Sequence, residues 1–196
     1  MTDAQPAIDW DPIDPLDRRP FSFQRWIDEH RDQLRPPVAN KQVFRQADMI
    51  IMVVGGGNER NDFHDDPREE FFHQLKGDMI LWIWPGDGVE PYPMPIREGE
   101  IYLLPARVPH SPMRPKDTIG LVIEQKRPEG SLDRLRWYCE SCHEQVHEAS
   151  FTLQNIATDL KRIMEEFWTD DALRTCGACG AKVEQPGEAQ PPAPAA

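Results

Sequence analysis

Basic residues are scarce in this chain. Its 196 residues set only 22 Lys and Arg against 34 Asp and Glu, a net charge of −12. Nucleic acid and anionic lipid surfaces are bound through basic patches, so this balance argues against both as partners. Long apolar runs are missing as well. The run at 49–54 falls far short of the ~20 residues that a membrane-crossing helix needs. Residues 1–20 carry five Asp and no apolar stretch of the kind a secretory signal requires, which leaves the cytoplasm as the simplest compartment. Cysteine is limited to four residues, and in a reducing compartment two C-x-x-C pairs are expected to hold metal rather than disulfides.

Proline is abundant, at 20 residues beside 12 Gly. That favours turns and strands over a helical bundle. Residues 1–20, acidic and punctuated by proline, are expected to form a loose arm. Ser22 is placed to cap a helix from Phe23 to about Leu34, ended by Pro36-Pro37. From 43 to 125, short apolar runs (49–54, 71–75, 79–84, 101–104, 119–123) alternate with turn signals such as Gly55-Gly56-Gly57 and Pro85-Gly86. Many short strands at this spacing predict an antiparallel sandwich or barrel, and no segment there has the length of a crossover helix. The expected organisation is a β-domain over 21–130, a metal-binding module over 131–182 and a Pro/Ala tail over 183–196. Within the module, residues 146–153 partly alternate like a strand, and Ile156, Leu160, Ile163, Met164 and Phe167 keep a helical period.

Two stretches concentrate chemistry-bearing side chains. One runs from Gly57 to Gly77 and holds Arg60, Asp62, His64, Asp66, Glu69 and Glu70; the other runs from Gly99 to Arg114 and holds His110. A lone His is most often a surface residue. Two His and one carboxylate on one face of an octahedral ion, however, leave positions open for an organic substrate and O₂, the arrangement used by non-haem Fe(II).

The pattern His64-x5-Glu70-x6-Gly77 followed by Gly99-x5-Pro105-x4-His110 resembles the two cupin motifs. Asp66 stands where a second His is usual. Strand neighbours face opposite ways, so only one of Glu69 and Glu70 points inward, and the spacing from His64 selects Glu70. A closer resemblance is carried by Trp26-Ile27-Asp28-Glu29-His30, Pro36-Pro37-Val38-Ala39-Asn40, the run from Asp62 to Phe72, His110-Ser111-Pro112-Met113-Arg114 and Leu121-Val122-Ile123-Glu124. Together these are similar to the 3-hydroxyanthranilate 3,4-dioxygenase family, in its form with a paired C-x-x-C module.

That resemblance implies a mainly β fold: a cupin jelly-roll barrel with a short N-terminal helix and a small C-terminal metal-binding module containing a helix. It implies Fe(II) on His64, Glu70 and His110, with O₂ as co-substrate. Arg60 and Arg114 would hold the substrate carboxylate, Glu124 would accept a proton, and Glu70, Asn40 and Asp62 would border the substrate. The implied product is 2-amino-3-carboxymuconate semialdehyde, in tryptophan breakdown, NAD-precursor supply or aromatic degradation. A homodimer is implied too. Arg suits a benzoate because its planar fork donates two parallel hydrogen bonds.

Cys139, Cys142, Cys176 and Cys179 can form one tetrahedral site for Zn or Fe, with a spacing that resembles rubredoxin and a structural role. Cys139-x2-Cys142-His143 also matches the c-type haem signature, but haem would leave the second pair without a role. His143 and His147 are then expected to be exposed. The rival readings are another cupin oxygenase on a small aromatic acid, or a non-enzymatic metal-binding cupin or rubredoxin-like redox protein. The triad flanked by Arg60 and Arg114 favours the dioxygenase.

Overall fold

A computed structural model describes residues 20–35, 39–44, 47–57, 60–86, 88–154 and 156–186. The expected arm, apart from Pro20, and the tail from 187 onward lie outside the described residues. The chain runs α1 (Phe23–Glu29), a 3-10 turn (Arg31–Gln33), β1 (Asn40–Gln42), β2 (Met49–Gly55), β3 (Phe63–Asp65), β4 (Glu70–Lys76), β5 (Met79–Ile83), β6 (Tyr92–Ile96), β7 (Ile101–Leu104), β8 (His110–Met113), β9 (Ile119–Gln125), β10 (Asp133–Tyr138), β11 (Gln145–Phe151), α2 (Ile156–Thr169) and α3 (Asp171–Arg174).

All five apolar runs became strands, because β-branched and aromatic residues at alternate positions pack well on a pleated surface. The strands form two antiparallel sheets, β1-β2-β9-β4-β7 and β11-β10-β3-β8-β5-β6. This is the expected mainly β jelly roll. Between the sheets lie Met52, Phe72, Met79, Leu81, Ile83 and Leu104. β6 escaped the sequence reading because Pro93 and Pro95 interrupt it. It is an edge strand, pairing only with β5, and an edge tolerates residues that cannot donate to a ladder.

Ser22 caps α1, accepting from the Arg25 N–H, as its sequence suggested. The helix stops at Glu29, earlier than expected. The His30 N–H is shared between the Trp26 and Ile27 carbonyls, and the chain tightens into the 3-10 turn. Trp26 and Ile27 of α1 cover Val53 and Ile119 on the outer face of the first sheet.

β10 pairs with β3, so the segment after residue 130 continues the second sheet. Helix α2 then packs Ile163 and Phe167 against Leu135 and Trp137 of β10. The Phe167 and Trp137 rings stack at 4.1 Å. Val183, expected to begin a loose tail, is instead buried in this cluster. No helix among the described residues is long and apolar enough to cross a membrane.

Candidate active site

The register of the sheets assembles the site. His64 on β3 lies directly opposite His110 on β8, and Glu70 on β4 lies directly opposite Glu124 on β9. One pair comes from each sheet, and their side chains meet between them. On β4 the burial alternates: Glu70, Phe72 and Gln74 point inward, while Phe71, His73 and Leu75 face out and Glu69 before them is exposed.

Candidate ligand atoms of His64, Glu70 and His110 all lie within 4.8 Å of one another. The His110 Nδ1–H donates to the Val108 carbonyl at 3.0 Å. Its Nε2 sits 2.8 Å from Glu70 Oε2, yet that buried oxygen accepts no hydrogen bond of proper geometry. A lone pair facing a carboxylate needs a cation between them, either a proton or a metal ion. As a protonated pair, His110 is raised by Glu70 against the effect of burial. Burial would raise Glu70, but His110, His64 and Arg127 outweigh it and bring it to about 2. His64 donates through Nε2 to Asp133 Oδ2 at 2.8 Å, which fixes the ring as outer carboxylates commonly do for metal-binding His.

Charge bookkeeping points the same way. Five buried carboxylates (Asp62, Asp66, Glu70, Glu124 and Asp133) face three guanidinium groups (Arg60, Arg114 and Arg127). Carboxylates outnumber guanidinium groups by two in this cluster. A divalent cation on the His/Glu triad would offset that excess; burial raises Asp66 to about 6 and Glu124 well above its usual range. The residues therefore fit a divalent metal.

Asn40, Arg60, His64, Glu70, His110, Arg114 and Glu124 line one cavity of about 360 Å³. Asp62 is not part of its lining. It pairs through both oxygens with Arg60, at 3.0 and 2.5 Å, and so orients that fork. Arg114 is 1 % exposed and makes no ion pair among the described residues. It donates to Gln74 Oε1 at 2.7 Å, and burial lowers it to about 10. Gly120 permits this placement, since a Cβ there would collide with the Arg114 guanidinium. A buried arginine with only an amide partner is a strong acceptor site for an anion.

Arg127 and Asp133 were not singled out by sequence, and Asp66 was noted only as standing where a second His is usual. Arg127 donates to Glu124 at 2.6 Å and to Asp133 at 3.0 to 3.2 Å, and lies 2.7 Å from Asp66. Asp66, in the place of the usual second His, is thus an anchor for Arg127 within this network. Nothing local distinguishes Arg127 from Lys126 beside it. Replacing Arg127 with Met is expected to cost about 3–5 kcal/mol, because it strands buried carboxylates. The midpoint of urea unfolding reads this, and an unchanged midpoint would contradict it.

The four cysteines also converge. Cys139 and Cys179 Sγ are 3.5 Å apart, and Cys142 and Cys176 Sγ are 3.6 Å apart. These match the ~3.8 Å edge of a tetrahedron with ~2.3 Å metal–sulfur bonds. No disulfide is formed. Burial would raise Cys139, but the Ser141 and Cys142 N–H groups aimed at its sulfur help bring it to about 7. His143 and His147 are half-buried rather than exposed. His147 lies in line with the Trp137 and Phe167 rings, at 5.7 and 5.8 Å.

The 3-hydroxyanthranilic acid dioxygenase family matches residues 16–168. A 3-hydroxyanthranilate 3,4-dioxygenase of Jannaschia sp. (strain CCS1) is 53 % identical over 161 residues, covering 82 % of this chain and 88 % of its own. One from Brucella anthropi is 54 % identical over 160 residues, covering 81 % and 88 %. Among solved structures, a cupin-2 domain protein from Shewanella frigidimarina aligns with a TM-score of 0.41 at 17 % identity, over 52 % of this chain and 92 % of that one.

Proposed function

The chain belongs to the 3-hydroxyanthranilic acid dioxygenase family, and from that premise we infer that it cleaves the ring of 3-hydroxyanthranilate with O₂ at the His64–Glu70–His110 site. The observation that carries this reading is the buried Glu70 oxygen without a donor, set between two imidazoles in a cavity that also holds two arginines. We propose Fe(II) on the triad and Fe or Zn on the four cysteines. Bound Fe(II) would supply a path for electrons from the ring to O₂.

The protein's own residues position and neutralise. Arg114, together with Arg60 held by Asp62, binds the benzoate carboxylate within the cavity through charge-assisted hydrogen bonds. Glu124 takes the proton that the ring hydroxyl releases, and the Arg127 hydrogen bond favours the ionised carboxylate that accepts it. Met52, Val54 and Val122 give the flat ring an apolar wall. The product would be 2-amino-3-carboxymuconate semialdehyde. The same proposal places the enzyme in the cytoplasm as a homodimer. Ile101 and Leu103, exposed by 64 % and 53 % on edge strand β7, are surface that such a dimer would cover.

The direct test mixes Fe(II)-loaded protein with 3-hydroxyanthranilate and follows the absorbance of the semialdehyde. Its absence with iron confirmed in place would overturn the substrate assignment. Arg114→Ala is expected to raise KM by about 10- to 100-fold, the worth of one or two hydrogen bonds to a charged group, while the iron content stays unchanged. Unaltered kinetics would remove Arg114 from the substrate site.

A further inference from the structure

The cavity is closed on one side by a part of the chain that carries none of the proposed catalytic groups. Leu160, Met164 and Trp168 follow one another at four-residue steps on α2, and all three line the same cavity as Arg114 and Glu124. The adjoining side of α2, through Ile163 and Phe167, is locked onto β10, and Leu160, Met164 and Trp168 belong to or pack against the same cluster. Any shift of this helix therefore moves a wall of the pocket.

Trp168 is also gripped from outside. The Arg174 guanidinium lies over its ring, 5.9 Å from the centroid. Arg174 is itself fixed, donating to Asp171 at 2.6 Å and to the Val183 carbonyl at 3.3 Å. Two residues further on is Cys176. The Val183 N–H returns to the Arg174 carbonyl at 2.9 Å, and the Cys176 N–H bonds the Ala181 carbonyl at 2.8 Å. Arg174 thus belongs to the knuckle that carries Cys176 and Cys179. The other cysteine pair begins right after β10, whose pairing with β3 ties it to the strand of His64.

We infer that Met164 and Trp168 form a substrate-selecting wall, and that the four-cysteine cluster sets the position of this wall through Arg174. The inference rests on the ring-cleavage reading for the identity of the substrate. Metal on the four sulfurs closes the 33-residue segment that contains α2, pinning both of its ends to the barrel. Carboxylate binding and proton transfer stay with the barrel strands. The wall touches only the remainder of the ring, so its displacement alters KM and selectivity more than turnover at saturation. Arg174 is a positioning residue in this scheme and does not touch substrate.

The test uses full-length, Fe(II)-loaded protein and compares 3-hydroxyanthranilate with an analogue bearing a methyl group on its unsubstituted ring edge. Trp168→Ala should shift the preference between the two by about 10-fold toward the analogue, the scale expected for one methyl in a pocket. Arg174→Ala should raise KM several-fold with kcat within about 3-fold, and Arg174→Lys should restore KM by keeping a cation over the ring. Cys176→Ser should speed hydrogen–deuterium exchange along α2 and weaken anaerobic substrate binding while the barrel iron remains. Arg174→Ala leaves all four cysteines in place, so it tests the coupling even where Cys176→Ser unfolds the module. Unchanged KM and preference in both Trp168→Ala and Arg174→Ala would overturn the inference, as would unchanged α2 exchange in a metal-depleted Cys176→Ser protein. If the unaltered protein fails to bind 3-hydroxyanthranilate, the ring-cleavage reading falls. The exchange of α2 in Cys176→Ser then still decides whether the cysteine cluster positions the wall.

Discussion

Glu70→Ala is expected to lose barrel iron and ring cleavage together, while the metal on the four cysteines stays. Glu70 supplies the only carboxylate of the His64–Glu70–His110 group, and its inward orientation follows from the alternation along β4. Removing it leaves only the two imidazoles, one of which is oriented by Asp133. Loss of an outer-shell partner already costs 10- to 100-fold in metal affinity, so removal of a direct ligand should cost more than about 100-fold. The fold should survive. The cluster loses a buried negative charge, and the Met52–Phe72–Leu81 core is untouched. Metal analysis before and after dialysis, paired with the rate, reads the result. Full activity would assign the ligand role elsewhere, with Asp66, which shares other groupings with His64 and with Glu124, the first alternative.

Glu124→Gln is expected to lower kcat by about 10²–10⁴-fold while iron and carboxylate binding persist, since general-base catalysis contributes on that scale. Gln preserves the shape and can still accept a hydrogen bond from Arg127. The pH dependence sharpens the test. Burial and the charge of Glu70 raise Glu124, and Arg127 opposes them without cancelling the shift. Glu124 acts ionised, so turnover is lost as pH falls through its pKa in the Fe(II)-loaded protein. The variant should lack this acid limb. A Gln variant with normal kcat, or with the acid limb intact, would take the base role away from Glu124.

The parts of this molecule that were legible in its sequence are those with local signatures. Runs such as 49–54 and 119–123 declared strands because their apolar residues recur with strand chemistry, and the five strands formed on them fall within two residues of the runs. The inward face of β4 followed from alternation alone. Ser22 announced the start of α1. The end of α1 was less legible, because the switch to a 3-10 turn at His30 depends on how the last carbonyls share donors. β6 was hidden by its prolines, which only an edge position accommodates.

The site divides in the same way. His64, Glu70, His110, Arg60 and Arg114 sit at recognisable spacings, and the structure brings them around one cavity. Arg127 and Asp133 had no such spacing. Their roles arise only when β10 lies beside β3 and the chain after β9 folds back over the barrel mouth. Charge patterning shows that an acidic chain must neutralise its buried carboxylates, but not which arginine does so. The contribution of Met164 and Trp168 is equally non-local. Their helical period was legible, but the cavity that they close belongs to another part of the chain.

The most direct measurement is O₂ uptake by Fe(II)-loaded protein supplied with 3-hydroxyanthranilate, with the semialdehyde quantified in the same vessel. The account predicts one O₂ consumed per ring opened, and no uptake by Glu70→Ala protein. Uptake without ring-opened product, or none at all with the barrel iron confirmed in place, would contradict it.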